Sequence, residues 1–321
     1  MNKDNYVKTA YNTPFIPNRA DPYILHENGL YYFTASVPEY DRIVLRAAQT
    51  LEGLRTAEER VLWRKHESGV MSRNVWAPEL HLIQGKWYVY FAAGEQDDMW
   101  KIRPWVLECD GDDPMTGEWK EAGQVQAADE FTFQDFSLDM TSYETHGRRY
   151  NVWAEKVSVG KKISNLYIAE TDGAKRFVTP QMLLVSPTYD WERVGFWVDE
   201  GPAFMEQGDQ VFVAFSSSST GPAYCIGLMW APADADLMDI SCWHKLNHPV
   251  LTTSEEKGLY GPGHNSFFRD DEGNWLMAYH ARTYDEIIGD SLYDPNRHCY
   301  LMRVAWKDGM PVFDYENQLF Q

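Results

Sequence analysis

Three acidic residues stand at one repeated place in this chain. Asp21, Asp139 and Glu200 each lie eight residues before a glycine (Gly29, Gly147, Gly208) that opens a run of alternating aromatic and β-branched residues. The same offset from Gly85 and Gly273 falls on Ala77 and Asn265; one place earlier stand Ala20, Trp76, Leu138, Asp199 and His264. Carboxylates gathered in a partly desolvated site raise one another's pKa, so one stays protonated near neutrality while another stays ionised. Hydrolysis of a glycosidic bond with inversion needs that division. One carboxyl protonates the leaving oxygen, and another, roughly 6.5–9.5 Å away, activates a water on the opposite face. A third would orient the acid and hold its pKa up. An aspartate before Pro or a glutamate before Gly-Pro, taken singly, is an ordinary turn residue. Three in register within five repeats point to chemistry.

The elements that must bring them together are legible in the same repeat. Gly29-Leu-Tyr-Tyr-Phe-Thr-Ala, Gly85-Lys-Trp-Tyr-Val-Tyr-Phe, Gly147-Arg-Arg-Tyr-Asn-Val-Trp, Gly208-Asp-Gln-Val-Phe-Val-Ala-Phe and Gly273-Asn-Trp-Leu-Met-Ala-Tyr share a polar turn followed by strand patterning. They recur about every 60 residues, a period that points to the blades of a β-propeller. The expectation is an all-β, five-bladed propeller forming a single domain over residues 1–321. A two-sheet sandwich gives no reason for five recurrences. Residues 55–66 are expected to form a short helix. Equivalent points on different blades are related by rotation, so the three carboxylates should meet at one mouth of the central channel.

Composition narrows the partners. The 321 residues hold 29 Lys+Arg against 48 Asp+Glu, a net charge of −19, with 13 Trp, 19 Tyr and 15 Phe. A field of that sign repels nucleic acid, anionic membranes and polyanions. Flat rings then favour neutral sugars. No run of 18 apolar residues and no apolar N-terminal stretch is present, and Cys109, Cys225, Cys242 and Cys299 lie far apart. Together these lead to an expectation of reduced thiols in a cytoplasm. There is no HExxH, P-loop or GxSxG motif. Cys109-Asp-Gly-Asp-Asp-Pro-Met reads as a solvated turn, because Met115 stands where an EF-hand loop requires glycine.

Arg19-Ala-Asp-Pro-Tyr-Ile, Trp76-Ala-Pro-Glu-Leu-His, Phe136-Ser-Leu-Asp-Met-Thr, Asp199-Glu-Gly-Pro-Ala-Phe and Gly261-Pro-Gly-His-Asn-Ser-Phe resemble glycoside hydrolase family 43 over nearly the whole chain. The resemblance is strongest to intracellular, exo-acting members that cut 1,5-linked arabino-oligosaccharides, through Tyr-Phe-Thr-Ala-Ser-Val-Pro at 32–38, Trp63-Arg-Lys-His, Tyr279-His-Ala-Arg and Leu292-Tyr-Asp-Pro-Asn-Arg-His. It implies an inverting α-L-arabinofuranosidase acting on neutral arabinose-containing oligosaccharides. Asp21 would be the general base, Glu200 the general acid, and Asp139 the residue that orients the acid. Arg282 would contact the terminal sugar. It implies no organic cofactor, and a metal ion near the axis, calcium in many relatives, held through waters beside His264.

Other readings stay open. His264 could equally be a hydrogen-bonded channel histidine, and Glu79 reads as support for the mouth. Trp76, Trp153, Phe33 and Phe196 are candidates for stacking on the furanose ring, as is Trp100, although most propeller tryptophans lie between blades. A β-xylosidase or endo-arabinanase could use the same carboxylates. A non-catalytic sugar-binding propeller is the alternative from another class, and a homo-oligomer stays open.

Overall fold

The computed structural model describes residues 10–158 and 163–320. Each alternating aromatic segment is the second strand of a blade, reached from the first by a two-residue hairpin in blades 1 to 4 and by a longer turn in blade 5. The Asn28-Gly29, Gln84-Gly85 and His146-Gly147 pairs place both turn residues at positive φ, the backbone twist that two-residue hairpins require.

Blade 1 holds β1 (Ala20–Glu27), β2 (Leu30–Ser36), β3 (Arg42–Ala48) and, after the short helix α1 (Leu51–Thr56), β4 (Arg60–Arg64). Blade 2 holds β5 (Arg73–Ile83), β6 (Lys86–Gly94), β7 (Arg103–Asp110) and β8 (Glu118–Gln124). Blade 3 holds β9 (Ser137–Thr145), β10 (Arg148–Ser158), β11 (Ile163–Glu170) and β12 (Met182–Val185). Blade 4 holds β13 (Trp197–Gln207), β14 (Gln210–Ser217), β15 (Cys225–Pro232) and β16 (His244–Lys245). A parallel pairing of Ile163 with Trp197 and Ser164 with Val198 links blades 3 and 4. Blade 5 holds β17 (Tyr260–Arg269), β18 (Trp275–Arg282) and β19 (His298–Arg303), and the hairpin β20 (Ala305–Lys307) and β21 (Met310–Val312) follows it.

The outer edge of β19 is covered from both directions of the chain. Phe15 N donates to Cys299 O at 2.8 Å, Cys299 N to Ile16 O at 2.9 Å, and Leu319 N to Leu301 O at 2.8 Å. The first strands β1, β5, β9, β13 and β17 neighbour one another in that order, and β17 returns to β1, so the five-bladed ring is closed. Closure matters for the site, because it fixes residues distant in sequence around one axis.

The helix expected over 55–66 is shorter and earlier. Thr50 caps it by accepting Gly53 N at 3.0 Å, and the alternating Arg60–Arg64 segment leaves the helix to pair with β3. Two aromatic candidates for sugar contact lie elsewhere. Phe33 and Trp153 are both 0% exposed. Phe33 packs with Phe15, Ile16 and Leu276 between blades 1 and 5; Trp153 packs among Phe133, Phe177 and Tyr90 between blades 2 and 3. The alternation that makes a strand also turns half of its rings into an interblade core, and these two have no face left for a ligand.

Candidate active site

At its register break each first strand carries a residue in the left-handed region: Asp21 (φ 52°), Ala77 (45°), Asp139 (56°), Gly201 (55°) and His264 (43°); β5 and β17 carry a second, Asn74 (50°) and Gly261 (59°), nearer their starts. The strand register breaks beside these positions, so each is a bulge. The bulge N–H groups hook onto the preceding blade. Asp21 N donates to His280 Nδ1 at 3.1 Å, Ala77 N to Ser36 Oγ at 2.8 Å, Gly201 N to Asp139 Oδ2 at 3.0 Å, and His264 N to Ser216 Oγ at 2.6 Å. Short polar side chains at strand ends thereby set both the bulge and the spacing between blades.

This pattern corrects the register. An offset of eight from the glycine meets the bulge at Asp21, Ala77 and Asp139, where the glycine is the second hairpin residue. In blade 4 Gly208 is the first of the two, so the bulge is Gly201 and Glu200 stands one residue before it. In blade 5 a longer turn between Arg269 and Trp275 makes His264, not Asn265, the bulge.

The three carboxylates converge through His264. Its Nδ1 lies 3.4 Å from Asp21 Oδ1 and 3.8 Å from Asp139 Oδ2, and Asp139 in turn holds the Gly201 amide next to Glu200. Asp21 also accepts from Ser36 Oγ at 2.5 Å and from Arg297 Nη1 at 3.2 Å, while Arg297 Nη2 donates to Tyr40 Oη at 2.8 Å. Glu200 Oε1 accepts from Tyr224 Oη at 2.8 Å, and the Tyr224 ring lies parallel to His280.

These surroundings divide the carboxyls. Burial pushes Asp21 up, but Arg297 and His264 outweigh it and hold the carboxyl well below its usual range. Burial pushes Asp139 up to about 8; His264 opposes the rise, and the Glu200 and Asp21 charges add to it. Burial also raises Glu200, against the Tyr224 hydrogen bond and the His264 and Lys156 charges, with Asp21 adding to the rise. One carboxyl is thus held ionised across the channel mouth from two that favour a shared proton.

The remaining candidates are placed as follows. Trp76 occupies in blade 2 the position that Glu200 occupies in blade 4; its ring meets Tyr40 edge-on at 5.7 Å and Trp100 at 6.3 Å, and its buried Nε1 has no acceptor among the described residues. Phe196 lies just ahead of β13 and is 41% exposed. Arg282 is buried, with Nη1 donating to Thr220 O at 3.0 Å and Nη2 to Ser291 O at 2.6 Å. Its structural work is to tie two connecting segments together. The arginine at the carboxylates is Arg297. Glu79 Oε2 lies 2.9 Å from His81 Nε2, a buried pair on β5.

Among the described residues no group of three or more His, Cys, Asp or Glu is arranged to hold a metal ion, and the Nδ1 of His264 faces two carboxylates. Calcium takes six to eight oxygens. The residues present do not fit the ion as direct ligands, and no step below is routed through it.

Sequence reasoning missed Arg297, Tyr224, Ser36 and His280. Ser36 and His280 share an offset of their own, each seven residues after its blade's glycine (Gly29, Gly273) near the end of a second strand, whereas Arg297 and Tyr224 sit in connections outside the repeat.

A five-bladed propeller that gathers three carboxyls at one mouth has an arrangement that acid–base cleavage of a glycosidic bond can use. The chain belongs to Glycosyl hydrolases family 43, which it matches over residues 11–311. It is 46% identical over 307 residues to the "Extracellular exo-alpha-(1->5)-L-arabinofuranosidase" of Streptomyces avermitilis, covering 95% of this chain and 63% of that one. It is also 46% identical over 282 residues to the enzyme of the same name from Streptomyces chartreusis, covering 87% of this chain and 85% of that one. Among solved structures it is similar to an alpha-L-arabinofuranosidase from Lactobacillus brevis, with a TM-score of 0.88 and 42% identity, covering 96% and 98% of the two chains.

The comparison overturns the cytoplasmic expectation, since relatives this similar are named extracellular. The cysteines misled for a physical reason. Cys109, Cys225 and Cys299 are buried without disulfide partners in blades 2, 4 and 5, where they act as small apolar side chains and carry no record of compartment. No helix of the described residues is long and apolar enough to cross a membrane.

Proposed function

We propose that this chain releases terminal α-L-arabinofuranose from 1,5-linked arabino-oligosaccharides, with inversion. The observation that carries the mechanism is the opposite tendency of Asp21 and Glu200, brought from different blades to the same histidine-centred cluster. Asp21, kept ionised, accepts a proton from water as that water attacks the anomeric carbon. Glu200, whose protonated form burial favours, gives its proton to the departing glycosidic oxygen. Asp139 acts on the acid in two ways, by fixing the Gly201 amide and by exchanging charge with Glu200. The unmatched Trp76 Nε1 is a buried donor suited to a sugar hydroxyl.

The names of the relatives support the sugar and linkage, and the geometry supports the acid–base pair. Proton NMR of the first product from 1,5-arabinotriose tests both. Arabinose released as the β-anomer, with arabinobiose, supports the reading. Retention of configuration, or cleavage of debranched arabinan or nitrophenyl xyloside in preference to arabinotriose, overturns it. Binding of the triose without turnover would make the propeller a sugar-binding module.

A further inference from the structure

We propose that Trp197, held by Arg193, is the stacking platform for the leaving-group part of the oligosaccharide. The inference rests on the function proposed above, because it uses Glu200 as the group that protonates the leaving oxygen. That assignment puts the departing chain on the side of blade 4.

The segment between β12 and β13 shows an uncommon surface there. Tyr189, Val194, Phe196 and Trp197 are all exposed, Trp197 at 45%, in one short stretch of a protein whose other rings are mostly buried. Trp197 opens β13 three residues and roughly 10 Å of extended backbone before Glu200, and alternation turns the two side chains to opposite faces, so the ring would meet a sugar beyond the one next to the scissile bond.

Exposed rings are ordinarily mobile, and ordering one on binding costs affinity. Here the ordering is built in. Arg193 donates through Nε and Nη2 to Pro187 O at 2.9 and 2.7 Å, and its guanidinium lies 4.5 Å from the Trp197 ring centre, covering one face. Beneath it, buried Glu192 accepts from Thr188 N at 2.6 Å and Tyr189 N at 2.7 Å and pairs with Lys245. Lys245 also donates to Ser186 O at 3.0 Å and lies 3.8 Å from Asp199, the residue next to Glu200. Val194 N is held by Ser218 Oγ at 3.0 Å. A surface loop with no ligand to serve has little need of a buried ion pair and a clamped tryptophan. A neutral sugar face suits it, since the guanidinium is already spent on the protein.

The test compares kcat/KM for 1,5-arabinotetraose with that for methyl α-L-arabinofuranoside, whose leaving group cannot reach the ring. In Trp197→Ala the ratio of the two should fall about fivefold to tenfold, and Trp197→Phe should restore most of it. Arg193→Met, which releases the ring without removing it, should lower the ratio in the same direction. Thermal melts check that each variant folds. A ratio unchanged in all three, or equal losses on both substrates, overturns the platform while leaving the function intact. A wild-type protein that cleaves neither substrate overturns both.

Discussion

Gly201 N donates to Asp139 Oδ2 at 3.0 Å, so the buried carboxylate of blade 3 holds the bulge that carries the acid of blade 4. The same carboxylate shares its charge with Glu200. Position and protonation of the acid therefore depend on one side chain.

Asp139→Asn separates the two. The amide oxygen can still accept the Gly201 N–H, so the fold is expected to hold while kcat falls, on the order of 10² to 10⁴-fold. Without a second carboxyl whose charge resists loss of the pair's last proton, Glu200 deprotonates more readily, and the alkaline limb of the pH–rate profile moves to lower pH. Stability moves the other way. Burial raises native Asp139 to about 8, so between about 4 and about 8 the native state holds a proton that the unfolded chain has released. That contribution is full at low pH and lost as pH rises through the window. Thermal melts at pH 6 and 9 should show a smaller decline for Asp139→Asn than for the wild type.

Arg297→Met acts on the base. Arg297 is the largest of the influences that pull Asp21 below its usual range against burial. Its loss should raise the Asp21 pKa, moving the acid limb of kcat/KM to higher pH. Arg297→Lys keeps the charge but not the two-pronged contact with Asp21 and Tyr40, and should fall between the two. An acid limb that stays put in Arg297→Met would sink Asp21 as the titrating base.

Glu200→Ala removes the proton donor and should affect leaving groups unequally. Arabino-oligosaccharides, whose alkoxide leaves poorly, should lose several orders of magnitude in kcat. A nitrophenyl arabinofuranoside, which needs little protonation, should retain much more of its rate. Equal losses on both would mean that Glu200 is not the acid.

How far this could be read from the chain depended on what kind of fact was sought. Asp21 and Asp139 were legible because their blades share one hairpin design, with the glycine second in the turn. Glu200 was found by the same ruler although its blade places the glycine first, and the true bulge, Gly201, was displaced by one residue. Phe33 and Trp153 could not be told from sugar-facing rings, since strand alternation alone does not say which face meets the next blade. Arg297 lay inside a motif already noted, but its contact with Asp21 joins residues from opposite ends of the chain and leaves no periodic trace. The compartment was read from cysteines that record packing only.

Gly201→Ala tests whether the bulge itself is part of the machinery. The residue sits at φ +55°, and a Cβ there would lie 3.2 Å from the His264 ring. Left-handed backbone costs a non-glycine residue roughly 1–2 kcal/mol, a loss that a melting curve can register without unfolding the protein. Asp21, Ala77, Asp139 and His264 already carry that strain at their own bulges, so the fold tolerates it four times. The contact with His264 is different, because the imidazole cannot move without leaving Asp21 and Asp139. The expected result is a modest fall in Tm together with a much larger fall in kcat, and a pH–rate profile altered on both limbs as both carboxylates lose their common neighbour. If Gly201→Ala keeps kcat and both limbs while losing only stability, the histidine-centred arrangement of the three carboxyls is a feature of packing and not of catalysis.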